Sequence, residues 1–326
     1  MTTTANADAA PDPRDIIRYE KDPSTRIATI TFNRPDMLNA PTIAARRYYA
    51  QLLHRANVDD EVKVLVVRGA GDDLGSGVDL PEVMRLRARG DGSVLRQELG
   101  LDDDPEVKMP PASSFRSGGL LTQWYANTGS GCRSLQDFKK ISILEVKGYC
   151  YGWHFYQAAD ADLVIASDDA LFGHSAFRYA GYGPRMWTWV MMMGLRKFQE
   201  MVFTGRPFTA QEMYDCNFVN KVVPRGQLEE EVAKYALACS RSRPNDTVFM
   251  QKVFFEIMKQ FQGEYMGSLL TAFLESAGGA AQPDDDDDML LDDEVFERGL
   301  GRSVKDNDER FPPEFRLSKS GRQQPD

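Results

Sequence analysis

Two of the chain's histidines occur in short segments rich in glycine and aromatic residues, where they could carry acid–base chemistry. The sequence holds only 3 histidines, and these two are His154 and His174. Imidazole has an unperturbed pKa near ~6.5, so much of it is neutral and able to accept a proton at neutral pH. Tyr156 adds a phenol that could donate a proton. Because residues two apart on a helix point about 200° apart around its axis, His154 and Tyr156 should not both face the substrate. Glu145 is a further candidate acid, or else a buried carboxylate paired with Lys147 or an arginine.

Two glycine-rich turns each lead into a predicted helix. Residues 75–80 (GSGVDL) precede a helix that should begin near Pro81, and residues 147–152 (KGYCYG) precede one that should begin near Trp153. The first N–H groups of a helix have no partner within it, and the helix dipole favours negative charge there. These junctions can therefore bind an oxygen that carries negative charge, or their glycines can serve only to make tight turns.

The elements that would position these residues alternate between strands and helices. Alternating or continuous apolar runs predict strands over residues 26–32, 62–68, 141–146 and 163–166. Thr42 is a suitable N-cap for a helix that should run to about Ala56. The inward candidates of that helix are Ile43, Tyr48, Leu52 and Leu53. Strands separated by helices predict an α/β fold.

Composition divides the chain into three parts. Residues 1–14 are small, polar and contain proline, which predicts a disordered N-terminus. Residues 15–225 form the predicted core, within which residues 86–135 are rich in Gly, Ser, Asp and Arg and predict a lid or an insertion. Residues 226–326 predict a helical region, where the aspartate run at 284–288 should be a solvated break.

Charge and cysteine usage restrict the class of protein. A formal net charge of −10 disfavours a nucleic acid or an anionic membrane as partner. The 4 cysteines are scattered without a CxxC pair, which fits a reducing cytoplasm better than a zinc site or a disulfide framework. The first residues lack the apolar core and basic leader of a signal peptide, and no run approaches about eighteen apolar residues. We expect a cytoplasmic protein with no membrane span, and no motif for a metal or redox cofactor is present.

Several motifs, taken in order, resemble the crotonase superfamily, the enoyl-CoA hydratase/isomerase family. They are residues 33–40 (NRPDMLNA), 75–80, 147–152, 161–166 (ADLVIA), 170–173 (ALFG), 203–213 (FTGRPFTAQEM) and 218–224 (FVNKVVP), within roughly residues 20–275. The resemblance implies a crotonase-type spiral of ββα units. It also implies a helical C-terminal region that packs against neighbouring subunits, usually in trimers or in hexamers made of two trimers.

The resemblance further implies an oxyanion hole. By residue-by-residue correspondence its two donors are the backbone N–H groups of Val78 and Trp153, with Gly77 and Gly152 forming the turns against the substrate. Donors of this kind stabilise an enolate or a tetrahedral oxyanion by roughly 3–4 kcal/mol each.

Two positions depart from the hydratases of this family. The two catalytic glutamates of hydratases correspond to Tyr156 and Ala176, and neither residue is a carboxylate. Because addition of water needs an acid–base pair, simple hydration of an enoyl-CoA is not expected. His174 lies two residues before Ala176 and would point to the same side of an extended loop. We therefore expect His174 to be the base and Tyr156 a donor or orienting group, with His154 and Glu145 as further candidates.

The CoA-binding positions also differ. Basic residues that often contact CoA in this family are replaced by Asp36, by Pro81 and by the acidic and amide pair at 306–307. An aspartate would repel the CoA phosphates. Basic residues that could compensate are Arg34, Arg85, Arg87 and Arg89.

One apolar segment has two interpretations. Residues 186–193 (MWTWVMMM) are large and flexible, and they can simply pack the core. Alternatively, Met186 and Trp187 bind the substrate by shaping a bulky acyl pocket, since methionine adapts to irregular ligands.

Three functions remain open on this reasoning. The first is an acyl-CoA enzyme that forms an enolate or oxyanion in a reaction other than hydration, such as isomerisation, C–C hydrolysis or C–C cleavage. The second is a hydrolase of a free cyclic β-diketone, which would explain both the histidines and the lost basic residues. The third is an inactive homologue that serves as a binding subunit.

Overall fold

The computed structural model describes residues 11–89, 92–102, 104–179, 181–277 and 305–323. The strands are β1 (Ile17–Asp22), β2 (Ile27–Phe32), β3 (Val64–Gly69), β4 (Ile141–Val146), β5 (Tyr149–Tyr151), β6 (Leu163–Ser167), β7 (Leu171–Gly173), β8 (Phe208–Thr209) and β9 (Lys221–Val223). The helices up to the second junction are α1 (Pro13–Ile16), α2 (Ile43–Val58), α3 (Leu80–Ala88), α4 (Ser93–Leu99), α5 (Phe115–Tyr125) and α6 (Trp153–Asp160). The later helices are α7 (Ala176–Tyr179), α8 (Met186–Met193), α9 (Leu195–Thr204), α10 (Ala210–Asp215), α11 (Leu228–Arg241), α12 (Asn245–Phe261), α13 (Glu264–Ala277) and α14 (Lys319–Arg322).

The main sheet has six strands in the order β1-β2-β3-β4-β6-β9. Only the β1–β2 pair is antiparallel, and the other pairs are parallel. The α/β prediction is confirmed, and the four predicted strands correspond to β2, β3, β4 and β6. Strand β1 was not predicted, because its sequence IRYEKD is largely polar and it pairs only along one side, at the edge of the sheet.

Both faces of the main sheet are covered, as parallel strands require. Every residue of β3 but one is buried. One face packs on α11 through Val64, Ile143 and Ile165. The opposite face packs on the larger core, which includes helices α2 and α6.

Helix α2 begins as the sequence predicts. The Thr42 side chain accepts a hydrogen bond from the Ala45 N–H at 3.1 Å. The inward tyrosine is Tyr49, which is fully buried, whereas Tyr48 is only partly buried. The prediction of Tyr48 as the inward tyrosine is therefore wrong by one position, because the ring of Tyr49 points into the core.

A small sheet in the order β5-β7-β8 positions the second junction. Strands β5 and β7 are parallel, with Tyr151 paired to Gly173. Their carboxyl ends therefore lie side by side, so the chain leaves β5 into Gly152 next to the point where it leaves β7 into His174. A further bridge between Gly75 and Cys150 brings the first junction to the same place.

The predicted segments have different outcomes. Residues 86–135 include α4 and α5, which pack on each other. Residues 1–10 and the aspartate run at 284–288 lie outside the described residues. Within the predicted disordered segment, Pro13 and Arg14 instead belong to α1, because the Asp12 carboxylate caps it by accepting from the Arg14 N–H at 2.8 Å. Among the described residues, no helix is long and apolar enough to cross a membrane.

Candidate active site

The two glycine-rich junctions are in contact. A Cβ added to Gly152 would lie 3.2 Å from the Gly77 Cα, and one added to Gly77 would lie 3.8 Å from the Trp153 backbone nitrogen. Gly152 has φ 54° and ψ −119°, a conformation that side chains other than hydrogen strongly disfavour. Close backbone approach and an unusual turn thus both require glycine here.

Most backbone N–H groups of the two turns donate hydrogen bonds to other residues. The N–H groups at positions 75, 76, 77 and 79 donate to Tyr149 O, Leu38 O, His154 Nδ1 and Pro41 O, at 2.8 to 3.2 Å. In the second junction, the Gly152 N–H donates to Gly173 O at 3.0 Å. Within the described part of the chain, the Val78 and Trp153 N–H groups have no acceptor, and both residues line one cavity. Since buried backbone N–H groups are almost always paired, these two are available to a ligand.

The cavity has a volume of about 580 Å³, within the usual range for small-molecule sites. The glycine-rich junctions form one wall. Helices α3 and α5 contribute Val83, Met84 and Tyr125, and α6 contributes Tyr156. The predicted insertion at 86–135 is therefore part of the cavity wall.

Tyr156 and His174 lie together in this cavity. The Tyr156 hydroxyl is 3.4 Å from His174 Nε2, a long hydrogen bond. The His174 ring also contacts Phe177 and Trp189, and its Nδ1 has no hydrogen-bond partner among the described residues. Burial in these surroundings lowers the pKa of His174 to about 3, so the ring is neutral at pH 7. Burial also raises the pKa of Tyr156 well above its ordinary value.

Ala176, which the sequence resemblance predicts at the second hydratase glutamate position, also lines the cavity. Neither Tyr156 nor Ala176 supplies a carboxylate at this end of the site.

The proposed role of His154 needs correction. Its side chain is fully buried outside the cavity, against Phe32, Trp153 and the Gly75 backbone. It accepts the hydrogen bond from the Gly77 N–H, and burial lowers its pKa to about 3. His154 therefore supports the first junction instead of facing a substrate, because the residue at the second position of α6 turns toward the core.

Glu145 also lies outside the cavity. It is 1% exposed on the face of β4 that packs against α11, and its closest cation is the Lys147 ammonium at 4.0 Å. Burial raises its pKa, which Lys147 opposes. The strand alternation that puts Leu144 and Val146 into the main core sends Glu145 to the other side, so it cannot reach the substrate.

Met186 and Trp187 do not line the cavity. Met186 packs against the main core, and the Trp187 ring lies on Gly263 and Gly267 at the start of α13. The core-packing interpretation of this segment is the correct one. The neighbouring Pro184 lines the cavity instead.

Sequence reasoning missed three charged residues of the cavity. Arg46 of α2 and Glu98 of α4 form a buried ion pair with 2.6 Å between Nη2 and Oε1. Glu275 of α13 is the third. Burial raises the pKa of Glu275 to about 7, although Arg87 opposes the shift. No motif surrounds these residues in the sequence, and only the packing of helices remote along the chain brings them together.

Comparison with known proteins shows the fold and a likeness to one enzyme family. The family model described as enoyl-CoA hydratase/isomerase matches residues 122–266. The fold superposes with a TM-score of 0.73 on an enoyl-CoA hydratase from Mycobacterium smegmatis, 23% identical, over 92% of this chain and 96% of that one. The chain therefore has the crotonase fold, and over residues 122–266 it is similar to the enoyl-CoA hydratase/isomerase family. An enoyl-CoA hydratase/isomerase from Xanthobacter autotrophicus, 24% identical, gives a TM-score of 0.70 over 91% of this chain and 98% of that one.

Curated relatives of this chain carry names of CoA enzymes. The chain is 26% identical to mevalonyl-coenzyme A hydratase of Aspergillus fumigatus, over 68% of this chain and 72% of that protein. It is 27% identical to hydroxycinnamoyl-CoA hydratase-lyase of Pseudomonas fluorescens, over 64% of this chain and 68% of that protein.

Proposed function

We propose that the protein is an enzyme of the enoyl-CoA hydratase/isomerase type that acts on an acyl-CoA thioester by a reaction other than hydration. The reaction would isomerise the acyl group or hydrolyse or cleave a C–C bond within it. The observation that carries this proposal is that the N–H groups of Val78 and Trp153, which have no acceptor among the described residues, lie on one wall of the cavity. Two donors there would stabilise the negative oxygen of an enolate or a tetrahedral intermediate more than the neutral carbonyl.

The non-hydratase part rests on Tyr156 and Ala176. These positions line the cavity and carry no carboxylate, so the cavity lacks the acid–base pair of the hydratases. The sequence predicts His174 as the base, but a pKa of about 3 makes its ring nitrogen a weak base at pH 7. We assign His174 the role of orienting Tyr156, whose phenol would hydrogen-bond the substrate.

The proposal that the substrate is a CoA thioester rests on the names of the relatives and on α3. Arg34 is committed to Asp79, with 2.6 Å between Nη1 and Oδ2. Arg87 lines the cavity, and Arg85 and Arg89 are exposed on the same end of α3; none of the three forms an ion pair within the described part of the chain. Three cations on one helix end would attract the CoA phosphates.

A free cyclic β-diketone is the alternative substrate. The commitment of Arg34 to Asp79 favours it, because one of the expected phosphate contacts is thereby lost. An inactive binding subunit is the third possibility, but the polar groups and open N–H donors of the cavity argue against it.

Binding and hydration assays test the proposal together. Butyryl-CoA should bind more tightly than free butyrate by isothermal titration calorimetry, and replacing Arg85, Arg87 and Arg89 by Gln together should weaken that binding. Crotonyl-CoA should bind but show no appreciable hydration when its enoyl absorbance is followed. Robust hydration would refute the non-hydratase part, and absence of any CoA-dependent binding would favour the diketone.

We also propose a homo-oligomer, a trimer or a hexamer, in the cytoplasm. Helices α12 and α13 expose large apolar side chains that need a partner surface, including Phe254, Phe255, Met258, Phe261, Met266 and Leu270. Light scattering at micromolar concentration should give three or six times the chain mass of 36.7 kDa. A monomer at that concentration would refute this part.

A further inference from the structure

Glu275 is a carboxylic acid that faces the cavity without a partner. It lies near the end of α13 and lines the same cavity as Val78 and Trp153. Its side chain makes no hydrogen bond or ion pair with any other residue that the structure describes. Glu275 is only partly exposed, and acids withdrawn from water are normally paired, so an unpaired one at a ligand cavity needs an explanation.

The other acidic residue of the same helix shows the usual arrangement. Glu264 is bound by Arg133, at 2.5 Å, and by Arg185, at 3.3 Å, and it also accepts from the Ser268 hydroxyl. Helix α13 thus carries one glutamate that fixes the helix on the core and one that is free. Only the free glutamate points into the site.

The groups around Glu275 leave its pKa at about 7. Arg87 of α3 is the cation that acts on it, and it is too far away for a salt bridge. The cavity is also lined by other charged or titratable groups, which are the Arg46–Glu98 pair, Tyr125, Cys132, Tyr156, His174, Tyr179 and Tyr182. The Glu275 carboxylate contributes to the raised pKa values of Tyr125, Cys132 and Tyr156, which places it within electrostatic reach of all three.

We propose that Glu275 is the catalytic base of this site and removes a proton from the carbon next to the carbonyl bound by Val78 and Trp153. This inference rests on the proposed function and names the group that the function lacks. The substrates it selects are thioesters with at least one C–H bond next to the carbonyl.

The proton transfer balances without any further reactant. The C–H bond next to the carbonyl breaks and its proton goes to a Glu275 carboxylate oxygen. The bonding pair forms the C=C bond of the enolate, while the carbonyl π pair moves onto the oxygen held by the two N–H groups. Return of the proton to the same carbon regenerates the substrate, and return to the carbon two positions further along an unsaturated chain isomerises it.

Glu275 suits this task better than His174. A base works best when the pKa of its conjugate acid is near the working pH. The pKa is about 7 for Glu275 and about 3 for His174. At neutral pH a large fraction of Glu275 is ionised, and the carboxylate is still basic enough to accept a proton. The His174 ring is unprotonated at this pH, but it is a much weaker base.

Hydrogen exchange provides a test that needs no knowledge of the natural substrate. Butyryl-CoA is incubated with the protein in D₂O, and loss of the protons next to the carbonyl is followed by NMR. We expect the wild-type rate to rise with pH through about pH 7, where Glu275 ionises. Glu275→Gln should lower the rate by about 10²-fold or more and abolish this pH dependence, with the Kd for butyryl-CoA changed by less than about threefold.

Glu145→Gln is the matched control. Glu145 is also a glutamate with a pKa raised by burial, but it faces away from the cavity. Its substitution should leave the exchange rate unchanged. Glu275→Asp, which keeps a carboxylate, should recover part of the rate and guards against a simple loss of folding in Glu275→Gln.

The outcomes separate this inference from the proposed function. If the wild type exchanges protons and Glu275→Gln does so at a rate within about threefold of it, the assignment of Glu275 as base is wrong, while the proposed function stands. Equal losses in Glu275→Gln and Glu145→Gln would also overturn it. Binding of butyryl-CoA without any exchange by the wild type overturns the base assignment while leaving CoA binding intact. Failure of the wild type to bind any CoA compound overturns the proposed function, and the assignment with it.

Discussion

The two walls of the cavity are built in different ways. The backbone wall consists of residues 75–78 and 151–153, where hydrogen bonds fix every turn and two N–H groups stay open. The side-chain wall consists of Tyr156, His174 and Glu275, which come from α6, the β7–α7 loop and α13. In our proposal the first wall binds the carbonyl oxygen and the second transfers protons.

This difference shows how one fold supports several reactions. The backbone wall depends on glycine and on chain direction, so most side-chain changes leave it intact. The side-chain wall depends on which residues project into the cavity, and here both hydratase positions have lost their carboxylates. A glutamate from a helix remote in the sequence, Glu275, lines the same cavity. Substitutions in each wall should therefore have different consequences.

The largest effect should come from the backbone wall. Gly152→Ala would place a Cβ 3.2 Å from the Gly77 Cα at φ 54°, which pushes the two junctions apart. We expect the butyryl-CoA exchange rate to fall by about 10²–10³-fold, the usual result of losing one oxyanion donor. Gly194→Ala is the control, since Gly194 also has a positive φ of 81° but has open space around it. Both variants should lose stability by about 1–3 kcal/mol, yet only Gly152→Ala should lose activity. Unchanged exchange in Gly152→Ala would show that this wall does not bind the carbonyl.

A smaller effect concerns the stability of the side-chain wall. The pKa of Glu275 is raised from 4.5 to about 7, so above about pH 4.5 the unfolded chain ionises first and the folded state becomes less stable as pH rises toward 7. Glu275→Gln removes the cost of ionising a carboxylate at this site. The difference in free energy of unfolding between Glu275→Gln and the wild type should therefore be more favourable to the variant at pH 8 than at pH 4.5, by up to about 3 kcal/mol. Urea unfolding at both pH values, at one protein concentration, measures the difference. The same change at both pH values would mean that Glu275 titrates normally.

The smallest effect should come from the phenol. Tyr156→Phe keeps the ring packing but removes the O–H beside His174, and we expect the exchange rate to fall by about tenfold or less. His174→Ala should be non-additive with it, because the two groups act as one hydrogen-bonded pair. Tyr49→Phe, which removes a buried hydroxyl outside the cavity, should leave the rate unchanged. A loss in Tyr156→Phe larger than that in Glu275→Gln would make Tyr156 the main proton-transfer group.

The two histidines show where prediction from the sequence stopped. His154 and His174 both stood close to site motifs, and both have a pKa of about 3 in the structure. Spacing correctly separated His154 from Tyr156 on the helix. It could not show that burial among aromatic rings weakens both bases, because burial is a property of the packed core.

Local chain features determined the scaffold. Apolar alternation identified β2, the N-cap at Thr42 identified the start of α2, and the glycines at 77 and 152 marked turns that close backbone approach requires. Such features act over a few residues, so the sequence alone specifies them.

The proposed proton-transfer group depends on the tertiary structure instead. Glu275 reaches the cavity only because α13 packs on α5 and α8, and Glu145 leaves it only because β4 turns that side chain toward α11. Contacts between residues far apart in the chain decide which acid meets the substrate, and these exist only in the tertiary structure.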